Sequence, residues 1–111
     1  MANGVVIPNK GEYINSDLTT GAVLKCRNST CVLSLENFAL SSSTSYANLV
    51  PSGYRPTNSI FNSALFVNGN TYKMGYIDVS SDGTLYGYIV DGGTYVAPSG
   101  YKIYGELTWS V

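Results

Sequence analysis

Apolar and polar residues alternate with a period of two along much of the chain, most clearly at residues 71–90, TYKMGYIDVSSDGTLYGYIV. Two strands are predicted there, joined at Ser81-Asp82-Gly83, with Gly83 in the left-handed position of a type I turn followed by a G1 bulge. That loop pairs Ser80 with Thr84, Asp78 with Tyr86 and Tyr76 with Tyr88. Ile77, Val79, Leu85 and Ile89 then share one face, while Tyr76, Asp78, Tyr86 and Tyr88 share the other. The first face reads as core. The second gathers three phenol rings around one carboxylate.

The same period organises the rest of the chain. Residues 4–7 are a short apolar run closed by Pro8-Asn9-Lys10-Gly11, which predicts an edge strand; residues 12–20 are polar and weakly patterned. Residues 22–26 and 31–35 form the arms of a hairpin around Arg27-Asn28-Ser29-Thr30. Phe38 and Leu40 have the opposite parity to Leu33 and Leu35, so a bulge near Glu36-Asn37 is expected to bring both pairs to one core. The serine-rich residues 41–45 read as an exposed loop. Two prolines and a glycine keep residues 48–56 out of any central strand. Pro51-Ser52-Gly53-Tyr54 recurs as Pro98-Ser99-Gly100-Tyr101, read as one corner used twice, with proline at the first central position and glycine closing the turn.

Residues 60–67 read as a strand, and Asn68-Gly69 as a two-residue type I′ turn. Asp91-Gly92-Gly93 turns the chain again, and residues 94–97 are short. In the last strand Tyr101, Ile103, Leu107, Trp109 and Val111 share one face, with Lys102, Tyr104, Glu106, Thr108 and Ser110 on the other. Only residues 17–22 and 36–48 tempt a helical reading, and neither sustains its period. Seven to nine short strands at regular spacing predict an all-β fold, an antiparallel β-sandwich or barrel of Greek-key or jelly-roll type.

With 111 residues the chain is one domain. Six basic residues and a formal net charge of −1 leave no cluster to neutralise phosphates, so nucleic acid is not an expected partner. No apolar run approaches the roughly 20 residues of a helical membrane span, so membrane insertion is not expected. The opening MANGVVIPNKGE lacks the pattern of a signal peptide. Cys26 and Cys31 face each other if Arg27–Thr30 is a hairpin loop. A cross-strand bridge and a pair of reduced, half-buried cysteines are both open, the reduced pair weighing slightly more. With no histidine and two cysteines, a zinc site is not expected. Asn28-Ser29-Thr30 matches a glycosylation acceptor, a pattern common by chance.

The lack of histidine also removes Ser-His-Asp and Cys-His nucleophiles. Two carboxylates could serve a glycosidase, but Asp82 and Asp91 are turn residues and nothing brings Asp78 to Glu106. No enzyme activity and no cofactor are expected. Binding is better supported. Tyrosine offers a flat ring for a sugar's C–H face and a hydroxyl for hydrogen bonding, and a carboxylate accepts from adjacent sugar hydroxyls. Tyr76, Asp78, Tyr86 and Tyr88 are therefore the candidate ligand-binding residues, against the plainer reading that tyrosines populate strands and pack on a neighbour. Arg55 and Tyr72 are further candidates, with Arg55 weighed more as a loop anchor. Trp109 alternates with aliphatic residues and reads as core or interface.

From about residue 21 onward, the order of features resembles the carboxy-terminal receptor-binding head of tailed-phage baseplate and tail-fibre proteins, best known from lactococcal siphophages. The resemblance lies in the hairpin GAVLKCRNSTCVLSLENFAL, the serine-rich loop, the connection NLVPSGYRP, the strand YKMGYIDVSSDG and the closing strand YGELTWSV. It implies an amino-terminal attachment segment at residues 1–20 and a β-barrel or sandwich head at residues 21–111. It further implies a homotrimer at the tail tip or baseplate of a virion, in contact with other tail proteins. Its ligand would be a saccharide of the bacterial host surface, bound near subunit boundaries. In such heads the strand matching Tyr76-Ile77-Asp78 often supplies a histidine and an aspartate, and the next strand an aromatic. Asp78 matches the aspartate, Tyr86 or Tyr88 stands for the aromatic, and Tyr76 replaces the histidine. A structural tail or baseplate module without a glycan, and a secreted bacterial lectin or adhesin domain, are the alternatives.

Overall fold

The structure, a computed structural model, describes residues 13–111, so the edge strand expected at residues 4–7 lies outside the described residues. Nine strands follow in order: β1 (Tyr13–Thr19), β2 (Ala22–Arg27), β3 (Thr30–Phe38), β4 (Ser45–Tyr46), β5 (Ile60–Asn68), β6 (Thr71–Val79), β7 (Leu85–Asp91), β8 (Thr94–Val96) and β9 (Lys102–Ser110). No helix occurs among the described residues. All nine strands belong to one antiparallel sheet, ordered β1-β2-β3-β9-β5-β6-β7-β4, with β8 also on β7, and the sheet curls into a half-barrel. β5, β6 and β7 run as a meander, and β9 returns beside β5, which is the strand order of a Greek key.

Period-two patterning explains the core. Leu24, Leu33, Phe66, Ile77, Val79, Leu85, Ile103 and Leu107 point into the curl and are buried. Each such side chain contributes about 1.5–3 kcal/mol relative to exposure. The faces expected for the last strand hold, and Trp109 is core, its indole N–H donating to the Tyr54 carbonyl at 2.7 Å. The bulge expected near Glu36-Asn37 is present as a register shift between Leu35 and Phe38, with Asn37 at φ 53°. It restores Phe38 to the core.

The central hairpin also adopts its expected register. Asp78 pairs with Tyr86 and Tyr76 with Tyr88. The Ser80 amide donates to the Thr84 carbonyl at 3.1 Å, the Gly83 amide to the Ser80 carbonyl at 2.9 Å, and Gly83 has φ 84°. Asp82 reinforces the loop by accepting from the Ser80 hydroxyl and, at 2.9 Å, from the Thr84 amide. Those bonds hold its carboxyl below the usual range, the Ser80 hydroxyl having the largest effect. The loop is also held from outside. The Val50 amide donates to the Gly83 carbonyl at 3.0 Å, and the Arg55 Nε–H donates to the Val50 carbonyl at 2.8 Å.

Elsewhere the structure corrects the sequence reading in four places. Residues 13–19, read as polar and weakly patterned, form a full strand hydrogen-bonded to β2, because the backbone of that neighbour supplies the pairing whatever the side chains. The hairpin between β5 and β6 turns at Gly69-Asn70, not Asn68-Gly69: Asn68 pairs with Thr71 and Gly69 takes φ 60°. Asn70 is not in the positive-φ region, so the turn is of type II′ rather than I′. This slides the pairing of β5 on β6 by two residues and leaves every face unchanged. In the repeated corner, proline occupies the first of the four turn positions. Gly53 and Gly100, at φ 96° and 83°, take the third, and the tyrosine amide closes onto the proline carbonyl.

The fourth correction concerns the cysteines. Cys26 and Cys31 form a disulfide, with Cα atoms 4.1 Å apart, where the reduced pair had weighed slightly more. Arg27 and Thr30 extend the strands, leaving a two-residue loop of Asn28 and Ser29 at φ 52° and 67°, a type I′ turn. The cysteines therefore oppose each other directly in a narrow rung, and both are fully buried rather than half-buried.

Two stability predictions follow from this geometry. A Cβ at Gly83 would lie 2.3 Å from the Val50 carbonyl oxygen and 2.5 Å from Arg55 Nε, whereas one at Gly69 would meet nothing within 4 Å. In urea unfolding, Gly83→Ala is expected to lose more stability than Gly69→Ala, the positive φ costing about 1–3 kcal/mol at either site. Reduction of the disulfide, which spans a sequence separation of 5, is expected to cost at most about 2 kcal/mol by loop-closure entropy. Thermal unfolding with and without reductant measures that loss.

Candidate functional site

Cross-strand register builds the site on the outer side of β5, β6 and β7. Phe61 lies opposite Asp78, which lies opposite Tyr86. On the neighbouring rung, Ser63 lies opposite Tyr76, which lies opposite Tyr88. Directly opposed residues share a face, so these six project together, away from the buried Ile77, Val79 and Leu85. The chain then doubles back at Gly92-Gly93, both in the left-handed region, and β8 pairs Tyr95 with Val90. Tyr95 thereby lies diagonally across from Tyr88.

The rings form a connected group. Tyr76 and Tyr88 have centroids 5.5 Å apart, and Tyr76 and Tyr95 meet edge-on at 5.4 Å. Tyr88 and Tyr95 lie 6.3 Å apart, and Phe61 meets Tyr76 edge-on at 6.5 Å. Phe61 and Tyr95 are 71% and 65% exposed, a large apolar surface to leave in water. Between them opens a cleft of about 560 Å³ lined by Phe61, Asn62, Ser63, Gly75, Tyr76, Asp78 and Tyr95.

Asp78 is the chemically unusual member. Its Oδ1 is buried and accepts no hydrogen bond from any described residue. Partial desolvation raises its carboxyl above the ordinary value. Desolvation also raises the Tyr76 phenol, with smaller contributions from Tyr95, Tyr88 and Asp78. A buried acceptor without a donor is costly.

Of the residues expected at the site, Tyr76 and Asp78 line the cleft, whereas Tyr88 touches it only through its ring contacts with Tyr76 and Tyr95, and neither Tyr88 nor Tyr86 is part of the lining. Tyr86 shares the Asp78 rung and is flanked on its other side by Ser45 of β4. Tyr72 has the same outward parity but lies four residues from Tyr76, about 13 Å along the strand, and does not line the cleft. Arg55 belongs to the Gly83 turn, bonded to the Val50 carbonyl, and is an anchor as weighed. Phe61, Asn62, Ser63 and Tyr95 were not singled out from the sequence. The outward parity of Phe61 on β5 was a usable signal, whereas the return of β8 had none beyond the Gly92-Gly93 turn. The Asn62 amide donates to the Glu106 carbonyl at 3.0 Å and accepts from the Ser63 amide at 2.9 Å, holding the cleft's far wall to β9.

No protein-family model matches this chain, and no curated protein matches it.

The raised Asp78 carboxyl sets a sign. In the fold the acid form is favoured, so this group favours folding most below its unfolded pKa, and that contribution is lost as pH rises through the folded value. Asp78→Asn is therefore expected to melt no lower than the parent at neutral pH. The difference between the two should vanish in acid, where the parent carboxyl is protonated in both states. Thermal unfolding across pH measures it.

Proposed function

We propose that this chain is a non-enzymatic, saccharide-binding head of a phage tail or baseplate protein, assembled as a homotrimer and acting in recognition of the host cell surface. The observation that carries the reading is Asp78, with a buried oxygen that has no donor among the described residues, in a cleft walled by the rings of Phe61, Tyr76 and Tyr95 together with Asn62, Ser63 and Gly75. Sugars pair with such a site because one face of the pyranose is apolar and stacks on rings, while its hydroxyls donate to a carboxylate. The all-β half-barrel agrees with the fold that the resemblance implies. The phage assignment rests on the order of sequence features described above.

A second reading, a structural module that packs against another protein, is favoured by one observation. Met74, Tyr72 and Val90 continue the outward face beyond the cleft, exposed at 58%, 65% and 43%. An apolar face of that kind suits a protein contact as well.

The readings separate on binding and assembly. Asp78→Ala and Tyr88→Ala are expected to abolish binding to host cells or to a broad glycan array while light scattering still reports the trimer. Unchanged binding would exclude the site, a monomer at micromolar concentration would count against the trimer, and an array with no signal would favour the structural module.

A further inference from the structure

The cleft carries one formal charge and no partner for it. Among its lining residues Asp78 has the one carboxyl group, and none is basic. The described ion pair on this strand, Lys73 to Asp91 at 3.2 Å, keeps Lys73 engaged away from the lining. Asp78 Oδ1 is buried and has no donor among the described residues. A neutral hydroxyl would satisfy the missing hydrogen bond and leave the charge uncompensated. A quaternary ammonium would compensate the charge and bring no N–H. A primary ammonium does both, and a charge-assisted bond is about twice as strong as a neutral one.

The aromatic walls favour the same group. Phe61 and Tyr95 stand at 76° and 70° to Tyr76, so a group in the cleft is offered ring face as well as ring edge. Ring faces attract cations, more strongly where water is partly excluded. They also stack on the apolar face of a sugar ring.

We propose that the cleft binds an amino sugar with a free amine, its ammonium donating to Asp78 and its pyranose ring lying against Phe61, Tyr76 and Tyr95. This rests on the saccharide reading above and narrows it. N-acetylation removes the charge and blocks the contact, so the site separates deacetylated from acetylated sugars.

The test titrates the full chain, isotopically labelled for NMR, with glucosamine, N-acetylglucosamine and glucose at a series of pH values between about 5 and about 7, over which the sugar amine is protonated. Glucosamine is expected to bind about tenfold more tightly than either neutral sugar, the gap between a charge-assisted and a neutral hydrogen bond. Asp78→Asn is expected to erase that preference with its spectrum still dispersed, and Tyr95→Ala to weaken all three sugars, glucosamine the most. Equal affinity for the three sugars in the parent overturns the ammonium contact and leaves the saccharide reading standing. Tetramethylammonium binding as tightly as glucosamine overturns the N–H donation. Binding of none of the three overturns the proposal, and a blank glycan array in addition removes the saccharide reading itself.

Discussion

The turn at Ser81-Asp82-Gly83 is the constraint on which the rest of the molecule depends. A three-residue loop with a left-handed third residue admits one register between the strands it joins. Here that register is held twice over, by Asp82 inside the loop and by Val50 and Arg55 pressing on Gly83 from outside. A one-residue slip would turn one of the two strands over, sending either Tyr76 and Asp78 into the core and Ile77 and Val79 into water, or Tyr86 and Tyr88 in and Leu85 and Ile89 out. The site and the hydrophobic core are thus two sides of one pairing decision.

The same turn ties the long connection at residues 47–59 to the sheet. Leu49 and Val50 are buried, and Trp109 of β9 bonds the Tyr54 carbonyl, so this irregular stretch is an integral part of the core. Arg55 is held there because its guanidinium satisfies a carbonyl that would otherwise be left without a partner. Charge at a loop is often read as function; here it serves the backbone.

The candidate site works against local stability. Desolvating Asp78 and leaving its Oδ1 without a donor among the described residues works against folding, while Phe61 and Tyr95, left largely in solvent, contribute little burial. The surrounding core absorbs that cost, since Ile77 and Val79 on the reverse of the same strand are fully buried.

Period-two alternation was enough to assign the all-β class, the inner and outer faces of β6, β7 and β9, the bulge after Leu35 and the Asp78–Tyr86 and Tyr76–Tyr88 pairs. These are local properties, set by strand geometry and by a turn whose residues adjoin it in sequence. The chain alone could not assign β1, whose pairing is supplied by its neighbour, or the Gly69-Asn70 turn, where Asn68-Gly69 and Gly69-Asn70 both read as hairpin loops. Nor could it close Cys26 to Cys31, which waits on whether Arg27 and Thr30 pair. The completed cleft was the least legible part. Phe61 reaches Asp78 through the exact pairing of β5 on β6, and Tyr95 reaches Tyr88 because β8 folds back on β7. Contacts of that kind depend on which strands become neighbours, and only the curled sheet determines that.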